Sequence, residues 1–195
     1  IALSLAGMDV FDSICHSLTT MPTGGFSTKN ASIAFYDSSV IHYIIIFFMF
    51  LAGINFSLHF RAINGDFKSY LRDKEFLVYF GGTIAVTVSI FFAISLQGDI
   101  FSLINFRESL FASVSILTTT GFGSADWELW PVFTQTVLLS LMFVGGMGGS
   151  TGGGMKVIRC MLLVKYTALE TRRMLHLRAL IPVRIGKQLI KEDAD

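Results

Sequence analysis

Residues 117–124, Leu-Thr-Thr-Thr-Gly-Phe-Gly-Ser, combine hydroxyl groups and glycine in a stretch between long apolar runs. Polar backbone of this kind is tolerated at membrane depth only where protein shields it or where it lines a water-filled path. Peptide carbonyls held along such a path can replace the hydration shell of a cation. The stretch therefore predicts an ion-conduction filter. A filter does no covalent chemistry, so we expect the protein not to be an enzyme.

A second copy of this pattern lies 96 residues earlier, where residues 21–28 read Met-Pro-Thr-Gly-Gly-Phe-Ser-Thr. The apolar segments after the two copies also match, at an offset of 93 that places Gly53 opposite Gly146. Copies of one loop around a common axis can surround an ion, whereas a simple helix-to-helix turn needs no repeat. Inward-pointing carbonyls require backbone dihedrals that only glycine adopts freely. The residues predicted to present their carbonyls to the ion are Thr23, Gly24, Gly25, Phe26, Thr119, Thr120, Gly121 and Phe122.

A third polar stretch, residues 145–154, has glycine at seven of its ten positions. Inside a helix each glycine costs about 1 kcal/mol relative to alanine. A straight helix over 131–164 would also be about 51 Å long, against a bilayer core of about 30 Å. We therefore expect a broken span whose loop blocks or opens the path. The residues predicted to form this gate are Gly145, Gly146, Gly148, Gly149, Ser150, Thr151, Gly152, Gly153, Gly154, Lys156 and Arg159.

Other interpretations of the same stretch stay open. Small residues also allow two helices to pack closely. Lys156 and Arg159 could face the cavity and hinder cations, or extend to the cytoplasmic interface. A phosphate-binding loop is disfavoured, because Gly-Lys-Ser/Thr is missing and no strand precedes the glycines.

Composition indicates the elements that position these stretches. Only 15% of residues are charged and mean hydropathy is +0.63, whereas soluble domains carry about a quarter charged residues. Residues 40–60 and 76–96 are each long enough for a membrane-spanning helix. Segments 8–18 and 105–117 predict half-length helices. Their C-terminal ends would point at the filter and favour a cation there.

The distribution of charge predicts the orientation. Thirteen of the 15 Lys and Arg residues lie in 61–75 and 156–191, which the positive-inside rule places in the cytoplasm. The two Thr/Gly loops then open outward, on a side with seven acidic and two basic residues. Such an acidic mouth would concentrate cations, although ordinary solvated loop charge is the alternative. The net charge of +1 predicts no nucleic-acid partner.

Isolated histidines and cysteines are given no ligand role. His16, His42 and His59 are expected to be hydrogen-bonded polar groups near helix ends. Cys15 and Cys160 are expected to be buried, inert thiols, because no metal-binding or disulfide spacing is present.

Three motifs carry a family resemblance: Thr-Gly-Gly-Phe-Ser-Thr at 23–28, Thr-Thr-Thr-Gly-Phe-Gly at 118–123, and Gly-Gly-Ser-Thr-Gly-Gly-Gly-Met-Lys-Val-Ile-Arg at 148–159. With them the chain resembles the Trk/Ktr/HKT superfamily of potassium transporters, and most closely the membrane subunit of the bacterial Trk system. The resemblance covers nearly the whole chain. Met21 and Pro22 before the first loop, and Thr120 in the second, depart from the usual pattern without affecting the glycines.

The resemblance implies an all-α integral membrane protein built of repeated membrane–pore-loop–membrane units, four of them around one pore. It further implies potassium uptake across a bacterial inner membrane, with potassium as the transported ion and no cofactor, in a homodimer with a cytoplasmic nucleotide-binding regulatory subunit. Residues 1–60 then end the second unit, 61–75 form a cytoplasmic linker, 76–171 form the third unit, and 172–195 form a basic cytoplasmic segment.

Several alternatives remain at this stage. The same fold could carry sodium as well as potassium, or couple transport to another ion. A non-conducting helical bundle would leave the repeated loop without a purpose, and a membrane enzyme would need a base or metal cluster that the sequence lacks. Because two loops cannot encircle an ion, we expect the chain to be an internal piece of a longer protein.

Overall fold

The computed structural model describes residues 1–97, 102–175, 183–185 and 188–190, and they are mostly helical. The helices are α1 Ala2–Leu5, α2 Val10–Thr20, α3 Ser39–Ala52, α4 Phe56–Ile63, α5 Lys68–Arg72, α6 Lys74–Ser95, α7 Leu103–Leu117, α8 Val132–Leu141 and α9 Val157–Leu175, with 3₁₀ turns at Ser32–Phe35 and Trp127–Leu129. Strands β1 (Val183–Ile185) and β2 (Gln188–Ile190) pair antiparallel, with Arg184 opposite Leu189. This hairpin departs from the all-α expectation.

Helix α6 is long and apolar enough to cross a membrane, and it corresponds to the span expected at 76–96. Its 22 residues make about 33 Å of helix, which matches a bilayer core. The helix begins where the side chain of Asp73 accepts a hydrogen bond from the Phe76 amide, 2.9 Å away. It is the longest helix among the described residues, and shorter helices pack against it.

The unbroken span expected at 40–60 is wrong. The chain forms α3 and α4 instead, bent by 101° at a break over residues 53–55. Asn55 starts α4 by accepting from the Ser57 amide at 2.8 Å. Gly53 ends α3 against α6, where an added Cβ would lie 2.3 Å from the Tyr79 hydroxyl oxygen. The close approach and the helix cap together turn the chain. With the bent pair taken as one span, the described residues hold up to two spans.

The two half-length helices are α2 and α7. Asp9 caps α2 by accepting from the Phe11 amide at 3.1 Å, and Ser102 caps α7 by accepting from the Ile104 amide at 3.2 Å. Helix α7 packs against α3 and α6. Each half-helix therefore ends inside the protein, directly before a Thr/Gly loop.

Two apolar cores hold these pieces. One lies behind the Thr/Gly loops and contains Ile33, Ile41, Ile45, Met49, Phe111, Val114 and Phe122. The other surrounds the glycine-rich stretch and contains Ile54, Leu58, Tyr79, Leu117, Met147 and Val157. Burial of such side chains contributes about 25 cal/mol per Å². The first core therefore supports the two Thr/Gly loops, and the second supports the glycine-rich stretch.

The break expected in the last span is present, since α8 ends at Leu141 and α9 begins at Val157. The chain on either side of the loop pairs as a stem. The Gly145 amide donates to the Met155 carbonyl at 2.9 Å, and the Val157 amide donates to the Gly146 carbonyl at 3.1 Å. An added Cβ at Gly145 would lie 1.9 Å from the Gly153 carbonyl oxygen, so the closure of the loop requires glycine there.

Candidate functional site

The two Thr/Gly loops share an uncommon backbone conformation. In the first loop φ is +54° at Thr23 and +65° at Gly25; in the second it is +59° at Thr119 and +83° at Gly121. Positive φ is rare for a residue with a Cβ but costs glycine little. The repeat seen in the sequence is therefore a repeat of backbone geometry as well.

In the first loop the amides point back at helix α2. The Thr19 carbonyl accepts from the amides of Gly24 and Gly25, at 2.8 and 3.3 Å. Since N–H and C=O of a trans peptide unit point in opposite directions, the carbonyls of Thr23 and Gly24 face away from the helix. The Phe26 carbonyl differs, because it accepts from the Thr19 hydroxyl at 2.8 Å.

The second loop repeats this pattern against helix α7. The Ser115 carbonyl accepts from the amides of Thr120 and Gly121, at 2.9 and 3.2 Å. The carbonyls of Thr119 and Thr120 therefore face away from α7. The Phe122 carbonyl accepts from the Ser115 hydroxyl at 2.7 Å.

Six of the eight predicted filter carbonyls accept no hydrogen bond within the part of the chain that the structure describes. Unpaired backbone carbonyls between apolar segments are costly unless water or an ion reaches them. The other two, on the phenylalanines, are held by hydroxyls, which differs from the expectation that all eight face the path. The six are those of Thr23, Gly24, Gly25, Thr119, Thr120 and Gly121.

The loops touch each other at one glycine. An added Cβ at Gly25 would lie 1.8 Å from the Thr120 carbonyl oxygen, so no larger residue fits there. Nothing lies within 4 Å of the corresponding position at Gly121. Gly25 is thus required by both its dihedral and its neighbour, and Gly121 by its dihedral alone.

A buried carboxylate braces the first loop. Asp12, which is 6% exposed, accepts from the hydroxyls of Thr28 and Tyr36 at 2.7 Å each and pairs with the Lys29 ammonium at 3.0 Å. Burial, and secondarily the bond to Asp12, raises the pKa of Tyr36 to about 12, so its hydroxyl remains a donor. His16 completes the brace through Ser27, 2.9 Å from its Nε2.

The second loop is braced by the preceding unit. The Gly123 carbonyl accepts from the Ala34 amide at 3.0 Å, and the Gly123 amide donates to the Ser32 hydroxyl at 3.2 Å. Phe122 is 4% exposed in the first core, whereas Phe26 is 77% exposed. The ring of Phe122 therefore packs behind its loop within this chain, whereas the ring of Phe26 is exposed.

The glycine-rich stretch, residues 145–154, lies against both Thr/Gly loops. Thr151 donates from its hydroxyl to the Met21 carbonyl at 3.0 Å, and its own carbonyl accepts from the Thr23 hydroxyl at 3.1 Å. The Gly153 amide donates to the Thr119 hydroxyl at 2.5 Å. The stretch therefore contacts the ends of the loops where the half-helices finish.

The same stretch is also bound to the break between α3 and α4. The Gly53 carbonyl accepts from the Met147 amide at 2.9 Å, and the Phe56 amide donates to the Gly149 carbonyl at 3.1 Å. The glycine-rich stretch thus supplies partners for backbone groups that the end of α3 and the start of α4 leave without an intrahelical bond.

Lys156 folds back onto the glycine-rich stretch. Its ammonium lies 3.4 Å from both the carbonyl and the hydroxyl oxygen of Ser150, and it also donates to the Gly152 carbonyl. Lys156 therefore lies against the loop, and its hindrance of a cation in the cavity stays a prediction. Arg159 is exposed.

The histidines are hydrogen-bonded, as expected. His42 contacts the Tyr36 carbonyl at 2.8 Å, and His59 lies between the Tyr70 hydroxyl and the Leu51 carbonyl, at 2.8 and 3.0 Å. Among the described residues, no group of three or more His, Cys, Asp or Glu side chains could hold a metal ion. Some of the charged residues from which the orientation was predicted lie outside the described residues. They are Arg178, Lys187, Lys191 and Asp99.

Three features escaped sequence reasoning. The carboxylate of Glu75 contacts the glycine-rich stretch, Asp12 organises the first loop, and residues 53–55 break the first span. Only the last had a signal, because Gly53 matches Gly146 in the repeat and Asn55 is a typical helix cap.

Comparisons with known proteins agree on one family. The model of the family described as "TrkH: Cation transport protein" matches residues 2–194. The Trk system potassium uptake protein TrkH of Escherichia coli K12 is 39% identical over 98% of this chain and 40% of its own length. The corresponding TrkG of the same organism is 35% identical over 96% of this chain and 39% of its own.

A solved structure has the same fold. The crystal structure of the potassium transporter TrkH from Vibrio parahaemolyticus superposes with a TM-score of 0.89 and 39% identity, over 95% of this chain and 40% of that one. The chain thus spans about 40% of the length of the relatives that it matches.

Proposed function

The chain belongs to the TrkH family of cation transport proteins, and from this premise we propose that it contributes two neighbouring filter loops and a gate to a potassium-conducting path through a membrane. The relatives are named as potassium uptake proteins, which supports potassium as the ion. Potassium is the transported substrate in this proposal, which includes no cofactor.

The observation that carries the proposal is a set of six carbonyls, on two loops of matching geometry, that accept no hydrogen bond from the described residues. Thr23 and Thr119, and two residues later Gly25 and Gly121, have positive φ. The amides are tied to the half-helices, so the carbonyls are presented to the opposite side. Carbonyl oxygens arranged in this way can replace the hydration shell of a cation. The C-terminal ends of α2 and α7 add partial negative charge at the same place.

The glycine-rich stretch acts as the gate in this proposal. Through Thr151 and Gly153 it bonds to both filter loops, so it lies across their inner ends and obstructs an ion leaving the filter. Lys156 brings a positive charge to the same obstruction. Met147 anchors the stretch in the second core, whereas the exposed residues Gly149, Thr151 and Gly153 are held by hydrogen bonds and can be released at modest cost.

The orientation of the path across the membrane is proposed from the distribution of charged residues. In this proposal the linker 61–75 and the segment after α9 are cytoplasmic, because basic residues are concentrated there, and the filter loops face outward. The membrane proposed is a bacterial inner membrane. Further loops from the rest of a longer protein complete the ring, since two loops surround only part of an ion. A homodimer and a cytoplasmic nucleotide-binding subunit stay predictions.

Substitution of Gly121 by serine in the full-length protein tests the filter. The φ of +83° at Gly121 disfavours serine, and the neighbouring space is open, so we expect the carbonyls to shift while the protein still folds. Potassium-over-sodium preference should then fall by about tenfold or more in uptake measurements, since 1.4 kcal/mol changes it tenfold.

Gly65→Ser is the matched control. Gly65 also has positive φ, +93°, and open space, but it lies in the linker. The Gly65→Ser variant should keep the wild-type potassium-over-sodium preference. If that preference is also unchanged in Gly121→Ser, the filter role of Gly121 is contradicted.

A further inference from the structure

Glu75 connects the longest helix to the gate. It lies in the first turn of α6, and one of its carboxylate oxygens accepts two backbone hydrogen bonds. The Gly148 amide donates to Oε1 at 2.7 Å, and the Ile158 amide donates to the same atom at 3.0 Å. One donor lies within the glycine-rich stretch and the other at the start of α9, so a single oxygen joins the loop to the helix that follows it.

Both amides depend on this carboxylate. Ile158 is the second residue of α9, where a helix leaves its N–H groups without an intrahelical partner. Neither amide donates to a backbone carbonyl in the part of the chain that the structure describes. A negative charge beside the first turn of a helix is also favourable. Removal of Glu75 would therefore leave two donors unpaired.

The bond to Glu75 differs in kind from the stem of the loop. The stem pairs residues 143–146 with 155–157 through backbone bonds that belong to the loop itself. Glu75 instead belongs to α6, which begins at its own cap on Asp73 and does not depend on the loop. Gly148 thus cannot move relative to α6 and α9 until at least one bond to Oε1 is broken.

We propose that Glu75 is a positioning residue of the gate, a latch that favours the closed arrangement by holding Gly148 and Ile158 on one oxygen. The proposal rests on the gating role given above to residues 145–154. The latch works through hydrogen bonding to Oε1, so an amide oxygen at the same place replaces it, whereas a side chain without an acceptor does not. Neither of the hydrogen bonds that Glu75 makes among the described residues goes to a filter loop, so we expect ion preference to be independent of the latch.

The test compares Glu75→Ala with Glu75→Gln in the full-length protein, reconstituted in liposomes and assayed for resting rubidium flux. A variant that lacks Gly152, Gly153 and Gly154 serves as the open reference. Glu75→Ala is expected to raise resting flux about tenfold toward that reference, with potassium-over-sodium preference unchanged. Glu75→Gln, which keeps the acceptor, should stay within about twofold of wild type.

Asp73→Ala is the structural control. It removes the cap of α6 two residues before Glu75, so it weakens the start of the helix without touching the loop. Its resting flux should stay at the wild-type level. A rise in Asp73→Ala or Glu75→Gln as large as that in Glu75→Ala would overturn the latch, because helix damage or lost charge would then be the cause.

Hydrogen exchange separates the latch from the gate. In Glu75→Ala the amides of 145–158 should exchange about tenfold faster than in wild type. If the deletion variant is open but Glu75→Ala shows slow exchange and low flux, the latch is refuted and the gate is not. If the deletion variant stays closed, the gate is refuted. The exchange rates in Glu75→Ala would then still show whether Glu75 holds residues 145–158 in place. If Glu75→Ala does not assemble, Glu75→Asp, too short to hold both donors, replaces it.

Discussion

The two filter loops have the same backbone and different supports. Both place positive φ at a threonine and, two residues later, at a glycine, and both tie their amides to one carbonyl of the half-helix. The first loop is braced inside its own unit by the network of Asp12. The second has Ala125 where the first has Lys29, and it relies on Ser32 and Ala34 of the preceding unit.

This difference separates what the repeat encodes from what each unit adds. The Thr-x-Gly pattern produces the carbonyl geometry in both places. The first loop is braced within its own unit, whereas the second loop is braced by the preceding unit. The second loop therefore reaches its observed conformation only once the two units have packed together. The two glycines differ in the same way, since Gly25 is enclosed by its neighbour and Gly121 is open.

Exchange of each glycine for alanine is expected to give the largest contrast. At Gly25 the added Cβ meets the Thr120 carbonyl, which adds an overpacking cost of about 1–3 kcal/mol to a dihedral cost of about 1–3 kcal/mol. At Gly121 only the dihedral cost applies. Gly25→Ala should therefore lower the melting temperature of the full-length protein clearly more than Gly121→Ala, as followed by thermal unfolding in detergent. Equal losses would mean that the two loops do not touch as described.

The contrast between the glycines shows what sequence reasoning can and cannot reach. The 96-residue repeat predicted both loops, and the glycine run predicted the break after α8, because local backbone preferences decide those features. That Gly25 touches Thr120 could not be read from the sequence. It depends on how two loops 95 positions apart are docked.

Two kinds of contact that sequence reasoning missed share one physical cause. Glu75 reaches Gly148 across 73 positions, and the phenylalanine carbonyls turn toward hydroxyls seven residues earlier. Both are side-chain bonds to backbone groups, which leave no periodic pattern behind. The prediction of one unbroken span at 40–60 failed for a different reason. Hydropathy alone favoured one helix, whereas Asn55 caps the start of a second helix and Gly53 lies too close to Tyr79 for a larger residue.

Loss of the buried carboxylate tests the local brace and should have an intermediate effect. Asp12→Asn removes the charge that pairs with Lys29 and weakens the bonds from Thr28 and Tyr36, and bonds to charged groups are stronger than neutral ones. Glu108→Gln changes the matching position of the second unit, where no such network is seen among the described residues. We expect a lower melting temperature and reduced potassium-over-sodium preference for Asp12→Asn only. A similar loss in both variants would show that the two loops are braced alike.

Removal of the shared hydroxyls should have the smallest effect, and an equal one in the two loops. Thr19→Val and Ser115→Ala each delete the donor that holds the following phenylalanine carbonyl, at 2.8 and 2.7 Å, and each should cost about 1 kcal/mol of unfolding free energy. The freed carbonyl can then turn toward the ion path, so apparent affinity for rubidium in uptake assays should change in the same direction in both variants. The supports of the loops differ but this bond does not. Opposite changes in the two variants would therefore mean that the common backbone does not perform a common function.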